Sequence, residues 1–271
     1  MKALVTGADG MLGQDLCPIL EDNGYDVLET NKNKLDVTNE ILVNRYIKQE
    51  MPDLIIHCAA YTNVDKAEEE EDLARLINSK GAENIAKAAG KYNSTLVYIS
   101  TDYVFDGSKN APYTKEDKPN PINIYGKTKY EGELAIKKYC PNSYIVRTSW
   151  LYGHHGKNFV ETMLKNKDNP DLRVVSDQIG APTWTVDLAN GIVELLELPF
   201  GTYHVCGKGK TSWYEFAREI LGDIENLKPC TSEEFKSKAN RPKYSVLEPE
   251  HFCRSWKAGL KEYLMLRDCE E

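Results

Sequence analysis

Residues 2–13 read KALVTGADGMLG, and no other stretch constrains the fold so strongly. A short β-branched run ends in a turn carrying Gly7, Gly10 and Gly13. A helical pattern, MLGQDLCPILEDNG, follows at once and ends at Gly24. In a strand–turn–helix unit of this kind the first glycine permits a sharp turn. The second lets backbone approach a pyrophosphate, and the third lets the helix lie close on its strand. Phosphates would meet backbone N–H groups at the positive end of the helix. Gly7, Gly10, Met11, Leu12 and Gly13 are therefore expected to cradle a dinucleotide.

The chain then alternates. YDVLET reads as a strand, and NEILVNRYIKQE as a helix opened by Asn39 and stopped near Pro52. DLIIHCAA is a near-continuous apolar run of the sort buried on both faces of a parallel sheet. LARLINSKGAENIAKAAGKY is a long helical pattern. STLVYIST is another buried strand, and SYIVRTSWLYG follows one further helix. This order predicts an α/β fold with a doubly wound parallel sheet of Rossmann type. After about residue 150 the rhythm loosens. NFVETMLKNK, VDLANGIVELLEL, WYEFAREILGDI and SWKAGLKEYLML look helical, while LRVVSD and TYHVCG look like strands. The expected division is a dinucleotide-binding domain over 1–150 and a smaller α/β domain, mainly substrate-binding, over 151–271. Some segments of the second part are expected to return to the first.

The net charge of −8 disfavours nucleic acid as a partner. The N-terminus has one basic residue and a short apolar run, and no stretch approaches the length of a membrane span. A cytoplasmic protein is expected. Seven scattered cysteines without a Cys-x-x-Cys motif argue against a disulfide framework or a zinc site. The pair His154-His155 has no ligand set beside it, so no metal is expected.

The end of the second strand bears on which dinucleotide binds. An acid there would favour NAD by holding the ribose hydroxyls. The stretch LETNKNKLDVTN offers Glu29 alone, followed by Lys32 and Lys34. Lys32 is assigned to a 2′-phosphate, which favours NADPH over NADH. Asp36 and Val37 are placed near the adenine.

NIYGKTKYEGE holds Tyr125 and Lys129 four residues apart. In a chain with 16 tyrosines such a pair arises by chance, so its setting decides. The two share a helix face, which Gly132 continues with no side chain. The preceding strand ends in Ser100 and Thr101, and ligands of open α/β sheets bind at the carboxyl ends of strands. Reduction of a carbonyl needs a hydride and a proton, and a tyrosine hydroxyl can supply the proton. A nearby ammonium is expected to lower the phenol's pKa by roughly 1–3 units. Thr101 is placed to hydrogen-bond the substrate oxygen.

TGADGMLG, YISTDYVFDG and YGKTKYEGE resemble the extended short-chain dehydrogenase/reductase family, and the resemblance spans nearly the whole chain. Ser100–Gly107, Arg147–Gly153, Asp177–Ala189, Cys58–Glu68 and Arg241–Leu247 are similar to its dTDP-sugar 4-ketoreductases. The resemblance implies NAD(P)H-dependent reduction of the 4-keto group of dTDP-4-dehydro-L-rhamnose to dTDP-L-rhamnose. It implies Thr101, Tyr125 and Lys129 as the catalytic set, with Lys129 also holding the nicotinamide ribose. Thr101, Asp102, Tyr103 and Trp150 would line the sugar site. Ala59, Ala60, Tyr61, Thr62 and Ser100 would run along the cofactor. Asn78 matches a buried family asparagine that bridges strand backbone. A homodimer is expected. Some relatives bind a metal at a dimer interface, but no acidic set for one can be placed here. Another nucleotide-sugar 4-ketoreductase, an epimerase or a dehydratase stays open. So does a non-catalytic methionine adenosyltransferase regulatory subunit. Asp102-Tyr103 after Thr101, where dehydratases carry Asp-Glu, speaks against the dehydratase. Intact Thr101, Tyr125 and Lys129 speak against the regulatory subunit.

Overall fold

The computed structural model describes residues 1–270. The first half runs β1 (Lys2–Thr6), α1 (Met11–Asp22), β2 (Asp26–Thr30), α2 (Glu40–Glu50), β3 (Leu54–His57), α3 (Val64–Ala67) and α4 (Glu71–Arg75). It continues through α5 (Ala82–Tyr92), β4 (Thr95–Thr101), α6 (Ile124–Tyr139) and β5 (Ser143–Thr148). The second half holds β6 (Leu151–Tyr152), α7 (Phe159–Lys165), β7 (Leu172–Val175), β8 (Ile179–Gly180), β9 (Thr183–Trp184) and α8 (Thr185–Leu195). After these come β10 (Gly201–His204), β11 (Thr211–Ser212), α9 (Trp213–Leu221), β12 (Leu227–Cys230), α10 (Ser232–Phe235) and α11 (Trp256–Glu270).

One sheet organises the molecule, in the order β10-β5-β4-β3-β1-β2, with every neighbouring pair parallel. Successive side chains along a strand point to opposite faces. Ala3 and Val5 of β1 join Leu12, Leu16 and Leu20 of α1 and Leu188, Ile192 and Leu195 of α8 on one face. Leu4 joins Val43, Ile47, Ile85, Ala89 and Ile136 of α2, α5 and α6 on the other. Burial on both faces is why β3 reads as a near-continuous apolar run. Each fully buried Leu, Ile or Val adds roughly 1.5–3 kcal/mol to the fold.

The chain reverses its direction of travel across the sheet between β1 and β3. A crevice therefore opens at their carboxyl ends, where open α/β sheets bind ligands. Thr6 is level with both Thr30 and His57 there.

Two local features shape this crevice. Asn39 opens α2 by accepting from the N–H of Leu42 at 3.0 Å, the capping its side chain favours. The long helical pattern over 73–92 is interrupted: Leu76–Gly81 winds as a π-helix between α4 and α5. Such a turn releases backbone groups from the regular ladder, and Tyr98 donates to the Asn78 carbonyl at 3.3 Å.

The second half builds a separate core from Tyr152, Val160, Met163, Phe216, Trp256, Leu260 and Tyr263. Three two-stranded ladders frame it: β6 with β9, β7 with β12, and β8 with β11. β10 nevertheless pairs with β5 in the main sheet, Gly201 opposite Tyr144, and α8 packs beside α1. Among the described residues no helix is long and apolar enough to cross a membrane.

Candidate active site

A cleft of about 810 Å³ lies at the carboxyl ends of β1, β3 and β4. Most residues singled out from the sequence line it: Gly7, Gly10, Met11, Leu12, Gly13, Lys32, Asp36, Val37, Ala59, Ala60 and Thr62 on one side, and Ser100, Thr101, Asp102, Tyr125, Lys129 and Trp150 on the other. Tyr61 and Tyr103 do not. Asn78 brackets the backbone of Tyr61, accepting from its N–H at 2.8 Å and donating to its carbonyl at 3.0 Å. That turns the Tyr61 ring outward, where its hydroxyl donates to Glu70 at 2.6 Å. Tyr103 lies in a 3₁₀ turn directly after β4 and is buried edge-on against the Tyr125 ring, centroids 6.1 Å apart. It supports the site from behind.

The glycine turn fits a dinucleotide in shape. Gly7 has φ +67°, and a Cβ there would sit 2.8 Å from the Ala59 nitrogen. A Cβ on Gly13 would lie 2.5 Å from the Ala8 Cα. The turn is therefore closed to larger residues, and α1 rests directly on β1. Gly10 caps α1 with no side-chain hydrogen bond, which leaves the helix N-terminus suited to a phosphate.

The adenosine end is equally selective. Asn31 and Lys32 face the cleft, whereas Glu29 is exposed and outside it. Lys34 is tied down, donating to the Glu29 carbonyl at 2.8 Å. Asp36 accepts from the hydroxyl and N–H of Thr38, at 2.7 and 3.0 Å, and these bonds lower its pKa. Lys32 is thus the cation presented here, which suits a 2′-phosphate.

Tyr125 stands in the first turn of α6. Asn123 opens this helix by accepting from Gly126 N at 2.8 Å. One turn on, the Lys129 ammonium lies 4.2 Å from the centre of the Tyr98 ring. Gly132 makes this packing feasible, because a Cβ there would collide with the Tyr98 hydroxyl and approach the Asn78 carbonyl to 2.7 Å. Asn78 also donates to Thr128 at 3.1 Å, joining the cofactor-side loop to α6.

The electrostatics correct one expectation. Burial pushes the Tyr125 phenol up to about 12, and the Asp102 charge adds to this against a Thr101 hydrogen bond. The lowering expected from Lys129 does not appear. Burial costs the phenolate more than its neighbours return. Lys129 is itself driven down to about 7 by burial, opposed by Glu133 and then Cys58. Thr101 is also engaged locally, donating to Asp102 Oδ1 at 3.1 Å and accepting from Tyr103 N at 3.2 Å. Burial raises Asp102 to about 7, opposed by hydrogen bonds from Ser245 and Thr101.

Two residues that the sequence reading passed over support this wall. Glu133 is fully buried and accepts from Ser100 at 2.6 Å and from Arg147 at 2.9 and 2.8 Å. The signals were present: Glu133 is four residues beyond Lys129, and Arg147 is a lone charge inside an apolar strand, where it needs a partner. Trp150 has φ +46°, a left-handed conformation that costs a non-glycine residue about 1–3 kcal/mol. Such strain clusters at functional sites.

Comparison with known proteins agrees with this geometry. Residues 1–266 match the family model for the RmlD substrate binding domain. The chain belongs to the RmlD family. One relative, the spore coat polysaccharide biosynthesis protein SpsK of Bacillus subtilis, is 44% identical, and the match covers 98% of each chain. The dTDP-4-dehydrorhamnose reductase of Aggregatibacter actinomycetemcomitans is 40% identical over 91% of this chain and 90% of that one. A dTDP-4-dehydrorhamnose reductase from Bacillus anthracis, solved in complex with NADP, is 43% identical. It superposes with a TM-score of 0.94 over 98% of this chain and 99% of its own. The doubly wound parallel sheet is therefore an RmlD-family feature and not a peculiarity of this chain.

Proposed function

We propose that this RmlD-family chain reduces the 4-keto group of dTDP-4-dehydro-L-rhamnose with NADPH, giving dTDP-L-rhamnose. The observation that carries the reading is one cleft with two walls. A glycine turn and Lys32 suited to NADPH form one. Thr101, Asp102, Tyr125 and Lys129 form the other. The NADP-bound relative supports the choice of cofactor. Residues 151–271 are proposed to supply most of the sugar-nucleotide half, with Trp150 at the junction.

Bound NADPH supplies the hydride for C4 of the sugar. The residues of the chain manage the proton and the charge. Raised to about 12, the Tyr125 phenol is fully protonated at neutral pH. It donates to the C4 oxygen as charge develops there, since an alkoxide is far more basic than a phenolate. Thr101 turns its hydroxyl from Asp102 to hydrogen-bond the phenolate left behind. Lys129 binds the nicotinamide ribose. The Glu133 carboxylate favours its charged form, which burial opposes. Asp102, which lines the cleft, accepts from a sugar hydroxyl and orients the ring.

The test is a screen of dTDP-4-keto sugars against NADPH and NADH with purified protein. Rapid NADPH oxidation with dTDP-4-dehydro-L-rhamnose and formation of dTDP-L-rhamnose are expected. Turnover restricted to a different 4-keto sugar would reassign the substrate. No turnover with any of them would overturn the reading.

A further inference from the structure

We infer that Trp213, outside the cleft, is a positioning residue for the sugar site that works by fixing the plane of Trp150. The inference rests on the reductase reading above and adds a determinant of how tightly the sugar nucleotide is held.

Trp150 lines the cleft beside Thr101, Asp102 and Tyr125. An indole offers a flat apolar face to a sugar ring. Its aim depends on a left-handed backbone, which two contacts hold in place. Ser149 Oγ donates to the Ala181 carbonyl at 2.6 Å, and Thr183 N donates to the Trp150 carbonyl at 3.3 Å. The side chain is then clasped from behind. The Trp213 ring lies 3.5 Å from it, centre to centre, with the planes 6° apart. Gly180 closes the clasp, since a Cβ there would lie 2.5 Å from Trp150 Cζ2.

A spacing this short between near-parallel rings means almost complete overlap. Aromatic quadrupoles favour offset or edge-on pairs instead. The mutual attraction of the rings therefore does not account for the stack, and its surroundings impose it. Trp213 begins α9, where Ser212 accepts from Glu215 N at 3.0 Å, and Phe159 packs against its ring at 4.6 Å. Thr211 and Ser212 pair with Gly180 and Ile179 in the β8–β11 ladder. One ladder thus sets both jaws of the clasp, Gly180 and Trp213. Trp213 does not itself line the cleft.

The test uses W213L, which keeps apolar bulk without a plane, and W213F, which keeps the plane. W213L is expected to raise KM for dTDP-4-dehydro-L-rhamnose about three- to tenfold, with kcat and the NADPH dissociation constant within about twofold of wild type. W213F is expected to stay near wild type. The wild-type far-ultraviolet circular dichroism should carry an exciton signature of the stacked indoles, lost in W150F. It should shift on adding dTDP-L-rhamnose but not NADPH. An unchanged sugar KM in W213L, an equal rise in the NADPH constant, or a W213F as impaired as W213L would overturn the inference. If W213L does not fold, a wild-type signature indifferent to dTDP-L-rhamnose overturns it. A wild-type enzyme inert toward the keto sugar contradicts the reductase reading itself. An active wild type with an indistinguishable W213L contradicts only the role of Trp213.

Discussion

Glu133 of α6 and Arg147 of β5 form a two-point ion pair shut off from water, Nε to Oε1 at 2.9 Å and Nη2 to Oε2 at 2.8 Å. Ser100 of β4 completes the node by donating to the same carboxylate at 2.6 Å. The helix carrying Tyr125 and Lys129 is thereby pinned to two strands of the sheet. Among the described residues Arg147 Nη1 has no hydrogen-bond partner, so the pair is not fully satisfied. Its value is geometric: it fixes where α6 stands relative to the cleft.

Removing one partner strands the other charge in the core. E133Q and R147M are each expected to destabilise the protein by about 3–5 kcal/mol, while E133L/R147M together lose much less. Urea denaturation of the four proteins gives the comparison. A double variant as unstable as the sum of the singles would contradict the buried pair.

Asn78 satisfies both backbone groups of Tyr61 and reaches Thr128. N78A leaves these groups unpaired, and a loss of about 1–3 kcal/mol is expected. The loop from Ala59 to Thr62 should also loosen and weaken NADPH binding, measured by fluorescence titration. Unchanged stability and affinity would contradict the bracket.

Lys32 is the cation facing the adenosine end, Lys34 being held by the Glu29 carbonyl of β2. K32E should raise KM for NADPH about ten- to hundredfold. KM for NADH should change little. Equal effects on both cofactors would show that Lys32 does not read the 2′-phosphate.

Asp102 gives a pH dependence. Its carboxyl stands at about 7 in the folded protein against about 4 when unfolded. Between these values the folded state binds more protons, so the stability contribution is complete below pH about 4 and is lost as pH rises through about 7. D102N lacks this titration. Its melting temperature should gain on wild type from pH about 4 to about 7 and then level off. A constant difference across the range would contradict the raised carboxyl.

Much of this was legible in the sequence because local rules and tertiary context agree. The glycine turn, the Asn39 cap and the largely apolar strands each follow from near neighbours. The doubly wound parallel sheet then follows from alternation and handedness. What sequence left hidden depends on three-dimensional context. The π turn at Leu76–Gly81 has no compositional mark, and the pattern around it reads as ordinary helix. Tyr61 and Tyr103 sit in runs whose neighbours face the cleft, yet Asn78 and the 3₁₀ turn aim their rings elsewhere. The direction of the Tyr125 shift required knowing its burial, since an ammonium four residues away suggests the opposite sign. Glu133 and Arg147 were visible as charges, but their partnership spans two elements.

The central claim is that the Tyr125 phenol delivers the proton at the sugar's C4 oxygen. The most direct test is single-turnover oxidation of enzyme-bound NADPH by dTDP-4-dehydro-L-rhamnose, comparing wild type with Y125F. The account predicts a rate lower by about 10²–10⁴-fold in Y125F with an unchanged NADPH dissociation constant. A Y125F rate equal to wild type would contradict it.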